Sequence, residues 1–138
     1  MNLRELEIKD APYMLEWMHD DSVVKNLRGK FSSKTIEDAK KFIIDSQSLK
    51  HDVHLAIVSD EDEYMGTVSL KNIDNNNKSA EFAITVRSSA MGKGYSWYGM
   101  DEIIKRAFRD YGLENVYWCV DKNNTRAVRF YDKHKFHE

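Results

Sequence analysis

With one proline, one cysteine and six glycines in 138 residues, the sequence has little of what builds linkers, disulfide frameworks or low-complexity tails. The single Cys119 excludes an intramolecular bridge, and a lone thiol in a strand-like run reads as a small buried hydrophobe in a reducing, cytoplasmic compartment. No stretch approaches the roughly 18 uncharged residues that a membrane span needs. The amino-terminal residues Met1 to Glu7 have no apolar core of the kind a signal peptide carries. These features argue against both secretion and a membrane partner. An excess of one charge is also missing: 21 Lys and Arg stand against 23 Asp and Glu, a net of −2, and the charges are scattered. A nucleic-acid partner, which would need a gathered basic face, is disfavoured.

What is present suits a single domain over residues 1–138. Apolar residues make up 41% of the chain and aromatics 12%, and a domain of this size buries roughly two-thirds of the surface its unfolded chain exposes. No metal or disulfide staple is required. Leu3 to Ile8 reads as a first strand, after which Asp10 is placed as an N-cap for a helix with Pro12 in its first turn, running to about His19. Ser33 opens a second helix, with Ile36, Ala39, Phe42 and Ile43 at helical spacing. Three β-like runs follow, Val53 to Val58, Met65 to Leu70 and Ala80 to Val86, joined by Asp60 to Glu63 and by Asp74 to Lys78. Both links suit antiparallel hairpins. Met100, Ile103, Ile104, Ala107, Phe108 and Tyr111 mark a long amphipathic helix that Gly112 ends. Val116 to Val120 makes another strand, and a last helix is expected from Asn124 through Tyr131 to about His134. A strand, crossover helix and strand imply a parallel pair, so the fold class is α/β (α+β) with a mixed sheet.

Two segments carry candidate chemistry. Met91-Gly92-Lys93-Gly94-Tyr95-Ser96 lies between the third β run and the long helix. Two glycines let a backbone approach a ligand closely, and a helix start offers unpaired N–H groups, so the turn either cradles a phosphate or simply reverses the chain. It is neither a P-loop nor the dinucleotide fingerprint. In the second segment Asn124 and Tyr131 are seven residues apart, two helical turns. Either Tyr131 gives a proton to a leaving group while Asn124 fixes the ligand, or Asn124 is an N-cap and Tyr131 a core aromatic.

Together and in this order, the two segments resemble the acyl-CoA-binding parts of the GNAT superfamily of N-acetyltransferases. The turn is similar to its Arg/Gln-x-x-Gly-x-Gly/Ala signature, with Met91 at the Arg/Gln position and Ser96 at the small one. Residues Asn124 to Phe136 are similar to its Asn-x-x-Ala-x-x-x-Tyr-x-Lys-x-Gly-Phe pattern, with Lys135 in place of Gly. The likeness runs from Leu3 to Phe136 and is greatest to the branch of ribosomal-protein N-terminal and nucleotide-amino-sugar acetyltransferases.

The resemblance implies a GNAT-like sheet flanked by helices, acetyl-CoA as co-substrate and no metal. Backbone N–H groups of Met91, Gly92, Lys93, Gly94, Tyr95 and Ser96 would hold the CoA pyrophosphate. Ile84 and Val86 would pair with the pantetheine amides, Asn124 would contact that arm and Ala127 would let it pass. Tyr131 would be the general acid. Acetyl transfer also needs a neutral amine, and Glu81 is the candidate base. The family normally continues past this Phe with further strands, so the domain is expected to be truncated at its C-terminus, leaving an edge that a second copy could cover as a homodimer. The function implied is direct acetyl transfer to a primary amine on a small molecule or protein; the alternative is a non-catalytic acyl-CoA-binding module. Asp20 and Asp21 either attract a cationic acceptor or form a solvated loop, the reading their sequence favours, whereas Arg28 and Lys30 would suit a phosphorylated or nucleotide-linked acceptor; the choice of acceptor stays open. His51 with His54, and His134 with His137, lack a carboxylate or Cys set at a recognised metal spacing.

Overall fold

A computed structural model of the chain describes residues 1–24, 31, 33–48, 51–119 and 127–131. Its centre is a six-stranded sheet whose strands lie side by side in chain order. They are β1 (Asn2–Glu5), β2 (Val53–Val58), β3 (Tyr64–Asp74), β4 (Ser79–Val86), β5 (Asn115–Cys119) and β6 (Ala127–Tyr131). Every neighbouring pair is antiparallel except β4 with β5. That parallel pair is bridged by α4 (Tyr95–Arg109) as a crossover helix, and the sheet is mixed as expected.

Side-chain alternation divides the core in two. On one face Ile57, Val68, Leu70, Ala80 and Phe82 pack beneath Ile103, Ile104 and Ala107 of α4. On the other, Ala56, Val58 and Tyr64 meet α1 (Ala11–Met18) and α3 (Ile36–Ser46) through Met14, Trp17, Ala39 and Ile43. A one-turn α2 (Asp21–Val24) follows α1. Among the described residues no helix is long and apolar enough to cross a membrane.

Local chemistry explains most boundaries. The Asp74 carboxylate accepts from the N–H groups of Asn76 and Asn77 at 2.9 and 3.0 Å, closing the Asx turn between β3 and β4. Gly112, at φ +65°, follows the end of α4. The second helix starts later than Ser33: Thr35 is its N-cap and forms a capping box with Asp38. Asp10 stands at the N-cap of α1 but does not cap it. Its carboxylate is buried, taking 2.8 and 2.9 Å bonds from the Arg4 guanidinium and a 2.8 Å bond from the Glu7 N–H. A cation one strand away outcompetes the helix's own N–H groups.

The expected last helix is corrected. Ala127–Tyr131 is a strand, antiparallel to β5. Val128, Phe130 and Tyr131 favour the extended state, and pairing satisfies the outer backbone groups of β5, which a helix would leave open.

Gly66 is required by packing. A Cβ there would lie 2.4 Å from the Thr85 carbonyl oxygen, which is backbone of the adjacent strand. Gly66→Ala is therefore expected to destabilise the protein by about 1–3 kcal/mol in urea or thermal unfolding. An unchanged midpoint would mean that β3 and β4 separate at no cost.

Candidate functional site

Parallel pairing of β4 and β5 covers Ser79 with Asn115, Ala80 with Val116 and Glu81 with Tyr117. Beyond it β4 continues to Val86 while β5 ends at Cys119, and residues Ala83 to Val86 have no register partner on β5 among the described residues. The described pairing of the two strands ends at Glu81, and β4 runs on to Val86 before the chain enters the glycine turn. A 3-10 turn, Ser88–Ala90, leads into residues Met91 to Gly94 and then α4. Gly92 and Gly94 adopt φ of +75° and +91°, the left-handed region where only glycine is unstrained. Gly94 is the N-cap of α4, so the positive end of a 15-residue helix opens beside the parted strands. Gly92, Lys93 and Gly94 are exposed, and Tyr95 is half-buried. This is the geometry of an anion cradle.

Arg87 anchors the turn. Its buried guanidinium donates to both Glu16 carboxylate oxygens at 2.9 Å, to Glu63 at 2.7 Å and to the Tyr64 carbonyl at 3.1 Å. It also lies 4.6 Å from the centre of the Tyr13 ring. The Glu16 bonds, working against burial and aided by Glu63, raise its pKa further. One side chain thus joins α1, the β2–β3 hairpin and the end of β4.

The opposite face of the sheet holds a cavity of about 330 Å³. Its floor is polar: His54 from β2, Thr67, Ser69 and Lys71 from β3, and Thr85 beside Ala83 and Ile84 of β4. Its walls are largely apolar, with Met14, Trp17 and Met18 from α1 and with Phe31 and Phe42, and they carry the charged Lys34 and Asp38. Trp17 and Phe31 meet edge-on at 5.4 Å, as do Phe42 and His54 at 4.9 Å. His54 Nδ1 lies 2.6 Å from the Ser69 hydroxyl and Nε2 lies 3.7 Å from Asp52. Burial pushes the imidazole below its ordinary value and Lys71 adds to this, whereas Asp52 opposes it. His54 is therefore neutral at pH 7.

Sequence reading missed this cavity. The available signal was period two: His54, Thr67 and Ser69 are polar at positions where the α1/α3 face of a central strand would be apolar. Of the residues it named, Ile84 and Val86 lie on the part of β4 beyond its described pairing with β5, and Met91 to Ser96 lead into the first turn of α4. Glu81 lies in the last paired register of β4 and β5, with Lys71 Nζ 4.0 Å and Asn72 Nδ2 3.5 Å from its carboxylate. Asn124, Arg28 and Lys30 lie outside the described residues. Ala127 and Tyr131 are the two ends of β6, so the helix face that was to set Tyr131 beside Asn124 is absent. Asp20 holds the start of α2 through the Ser22 N–H and hydroxyl, at 3.0 and 2.6 Å, and neither it nor Asp21 lines the cavity.

Two outcomes follow from these contacts. Arg87→Met keeps the apolar stem and removes the charge-assisted bonds, and is expected to cost about 2 kcal/mol in urea unfolding; a loss near zero would show that Glu16 and Glu63 simply hydrate. His54 has its pH dependence fixed in sign. The unfolded chain takes up this proton near 6.5, above the folded value, so the stability present above that pH falls as the solution is acidified through it. Between about pH 7 and 5 the unfolding free energy of His54→Gln should fall less than that of the native chain, and an equal fall would refute the assignment.

Comparison with known proteins bears on this geometry. The sequence matches the family described as acetyltransferase (GNAT) domain over residues 1–137. No curated protein matches it. Among solved structures, spermidine N-acetyltransferase from Vibrio cholerae in complex with CoA and spermine superposes with a TM-score of 0.78 at 18% identity, covering 89% of this chain and 72% of that one. A probable acetyltransferase superposes with a TM-score of 0.76 at 23% identity, covering 88% and 70%. At these identities the structures show a shared fold. With a sheet parted beside a glycine-bearing helix start and a family match along almost its whole length, this chain belongs to the GNAT acetyltransferases and is an N-acetyltransferase.

Proposed function

We propose that the chain transfers acetyl directly from acetyl-CoA to a primary amine held in the cavity between the sheet and α1/α3. The observation that carries this reading is the parting of β4 from β5 beside two left-handed glycines at the start of α4. Acetyl-CoA supplies the thioester. The N–H groups from Met91 to Ser96 hold its pyrophosphate, because a helix start favours negative charge and the glycines let the backbone come close. Ile84 and Val86 offer the pantetheine arm a strand edge, with Asn124 and Ala127 along the same arm by motif.

Ala83, Ile84 and Thr85 line the cavity, so an acceptor there meets the β4 stretch that has no β5 register partner among the described residues. The amine nitrogen bonds to the acetyl carbon, the carbon–sulfur bond breaks, and its electron pair leaves with sulfur. Glu81 is the proposed base for the proton that nitrogen sheds; its place on the cavity face, where the strands begin to part, supports that role. Tyr131 is the proposed acid for the departing thiolate, on the motif and not on a helix face. No metal takes part in this scheme.

Calorimetric titration with acetyl-CoA tests the cradle. Roughly micromolar affinity is expected for the native chain, and Gly94→Glu should abolish it by adding a charge and a side chain at a left-handed position. Tyr131→Phe should retain that affinity while slowing acetyl transfer by about 10²-fold or more. Binding that survives Gly94→Glu would remove the cradle, and binding without turnover in the native chain would identify an acyl-CoA-binding module.

A further inference from the structure

Acetyl transfer to a primary amine draws two protons from nitrogen, because the amine reaches the cavity at pH 7 as an ammonium and must be neutral before it attacks. In the function proposed above, on which this inference rests, Glu81 takes the proton shed as the new bond forms. The earlier proton needs its own acceptor, and the sheet offers one. His54, Ser69 and Ala83 stand side by side at one level of β2, β3 and β4, and all three line the cavity. Ala83 belongs to the β4 stretch with no β5 register partner among the described residues, so Ser69 lies one strand from where the acceptor meets β4.

The contacts give this row a direction. His54 Nδ1 lies 2.6 Å from the Ser69 hydroxyl, and Nε2 lies 3.7 Å from an Asp52 carboxylate oxygen. The carboxylate favours the hydrogen on Nε2, which leaves Nδ1 to accept from the Ser69 O–H. The Ser69 oxygen then has lone pairs for an N–H of a bound ammonium. Both side chains are buried, and His54 packs edge-on against Phe42 of α3. Burial keeps the imidazole neutral at pH 7, and Asp52 offsets its charge once it takes a proton. Asp38 also lines the cavity, but its bonds from Thr35 hold it below the ordinary carboxylate range, which suits it to attract an ammonium and not to take its proton. Ser69 is paired on both sides, so the amides around it serve the sheet and not an oxyanion, and its hydroxyl is placed to pass a proton on and not to attack the thioester.

We infer that Ser69 and His54 form a relay that takes one proton from the acceptor ammonium before acetyl transfer. An ammonium N–H bond breaks as the Ser69 oxygen takes that proton, and the Ser69 O–H gives its own to Nδ1. A neutral amine, an intact hydroxyl and an imidazolium result. The proton goes back to water by the same path after the product leaves.

The test compares ethylamine with 2,2,2-trifluoroethylamine, which share a carbon skeleton. The fluorines draw electron density from nitrogen, so at pH 7 the first is an ammonium and the second largely the free amine. Acetylation by the full chain is followed by thiol release from acetyl-CoA. His54→Gln and Ser69→Ala should each lower kcat/KM for ethylamine by about 10²-fold, and for trifluoroethylamine by less than about threefold. Ser69→Thr keeps the hydroxyl and should retain most of the ethylamine activity. A purely structural role would lower both amines alike. The tautomer is read with no acceptor present: nitrogen NMR of the native imidazole, assigned by its loss in His54→Gln, should show hydrogen on Nε2 and none on Nδ1 at pH 7. A hydrogen on Nδ1, or equal losses with the two amines, would overturn the relay and leave the proposed function standing. Failure of the native chain to bind acetyl-CoA, or to acetylate either amine, would overturn both.

Discussion

The guanidinium of Arg87 is the contact on which the site's geometry depends. It stands where β4 ends and the glycine turn begins, and it is held by α1 through Glu16, by the β2–β3 hairpin through Glu63 and the Tyr64 carbonyl, and by the Tyr13 ring. A turn that must present backbone N–H groups in a fixed array cannot rely on its own glycines, which raise no barrier to other conformations. Arg87 supplies the fixed end. Because arginine offers five donors in a planar fork, one side chain makes four bonds here, two to Glu16 and one each to Glu63 and the Tyr64 carbonyl, more than the three donors of lysine allow.

From that anchor the sheet serves two purposes on its two faces. The α4 face is a closed apolar core, and there Gly99 brings the helix close: a Cβ at that position would lie 2.5 Å from the Ile57 Cδ1. The α1/α3 face is apolar at the end near Tyr64 and polar toward Ser69 and Thr85, where it opens into the cavity. β4 belongs to both. Ala83 and Thr85 line the cavity, Ile84 also packs against the core beneath α4, and this stretch has no β5 register partner among the described residues.

The polar groups taken inside are satisfied. Tyr64 is fully buried, and its hydroxyl accepts from Trp17 Nε1 at 3.0 Å and lies 2.6 Å from the Thr67 hydroxyl. Burial raises the phenol's pKa above its ordinary value, keeping it neutral. Among the described residues no buried side-chain nitrogen or oxygen lacks a partner. This matters for the cavity because Trp17 and Thr67, which line it, are oriented by Tyr64 beneath them. A wall held by hydrogen bonds keeps its shape when empty, whereas one built from methionine alone would collapse or vary.

Much of the fold was legible because its signals are local. Val53–Val58 was read to its boundaries, the Asp74 turn followed from side chains that bond their own backbone, and the α4 stripe followed from helical spacing. The glycine turn was legible for the same reason, since φ above zero demands glycine at Gly92 and Gly94 whatever surrounds them. What the sequence alone determined was therefore the order of the main elements through β5, the mixed sheet and the glycine turn that opens α4.

The rest was decided by contacts between elements, some of them between residues far apart in the chain. Asp10 leaves its helix for Arg4 of the preceding strand, Arg87 finds Glu16 and Glu63, and Ala127–Tyr131 takes up the free edge of β5 against a helical reading. The cavity belongs to this class, because His54, Ser69, Trp17 and Phe42 become neighbours only when α1 and α3 close over the sheet. Tertiary pairing overrides local preference wherever a buried charge or an open strand edge would otherwise lose its hydrogen bonds, and that cost exceeds the fraction of a kilocalorie by which propensities differ.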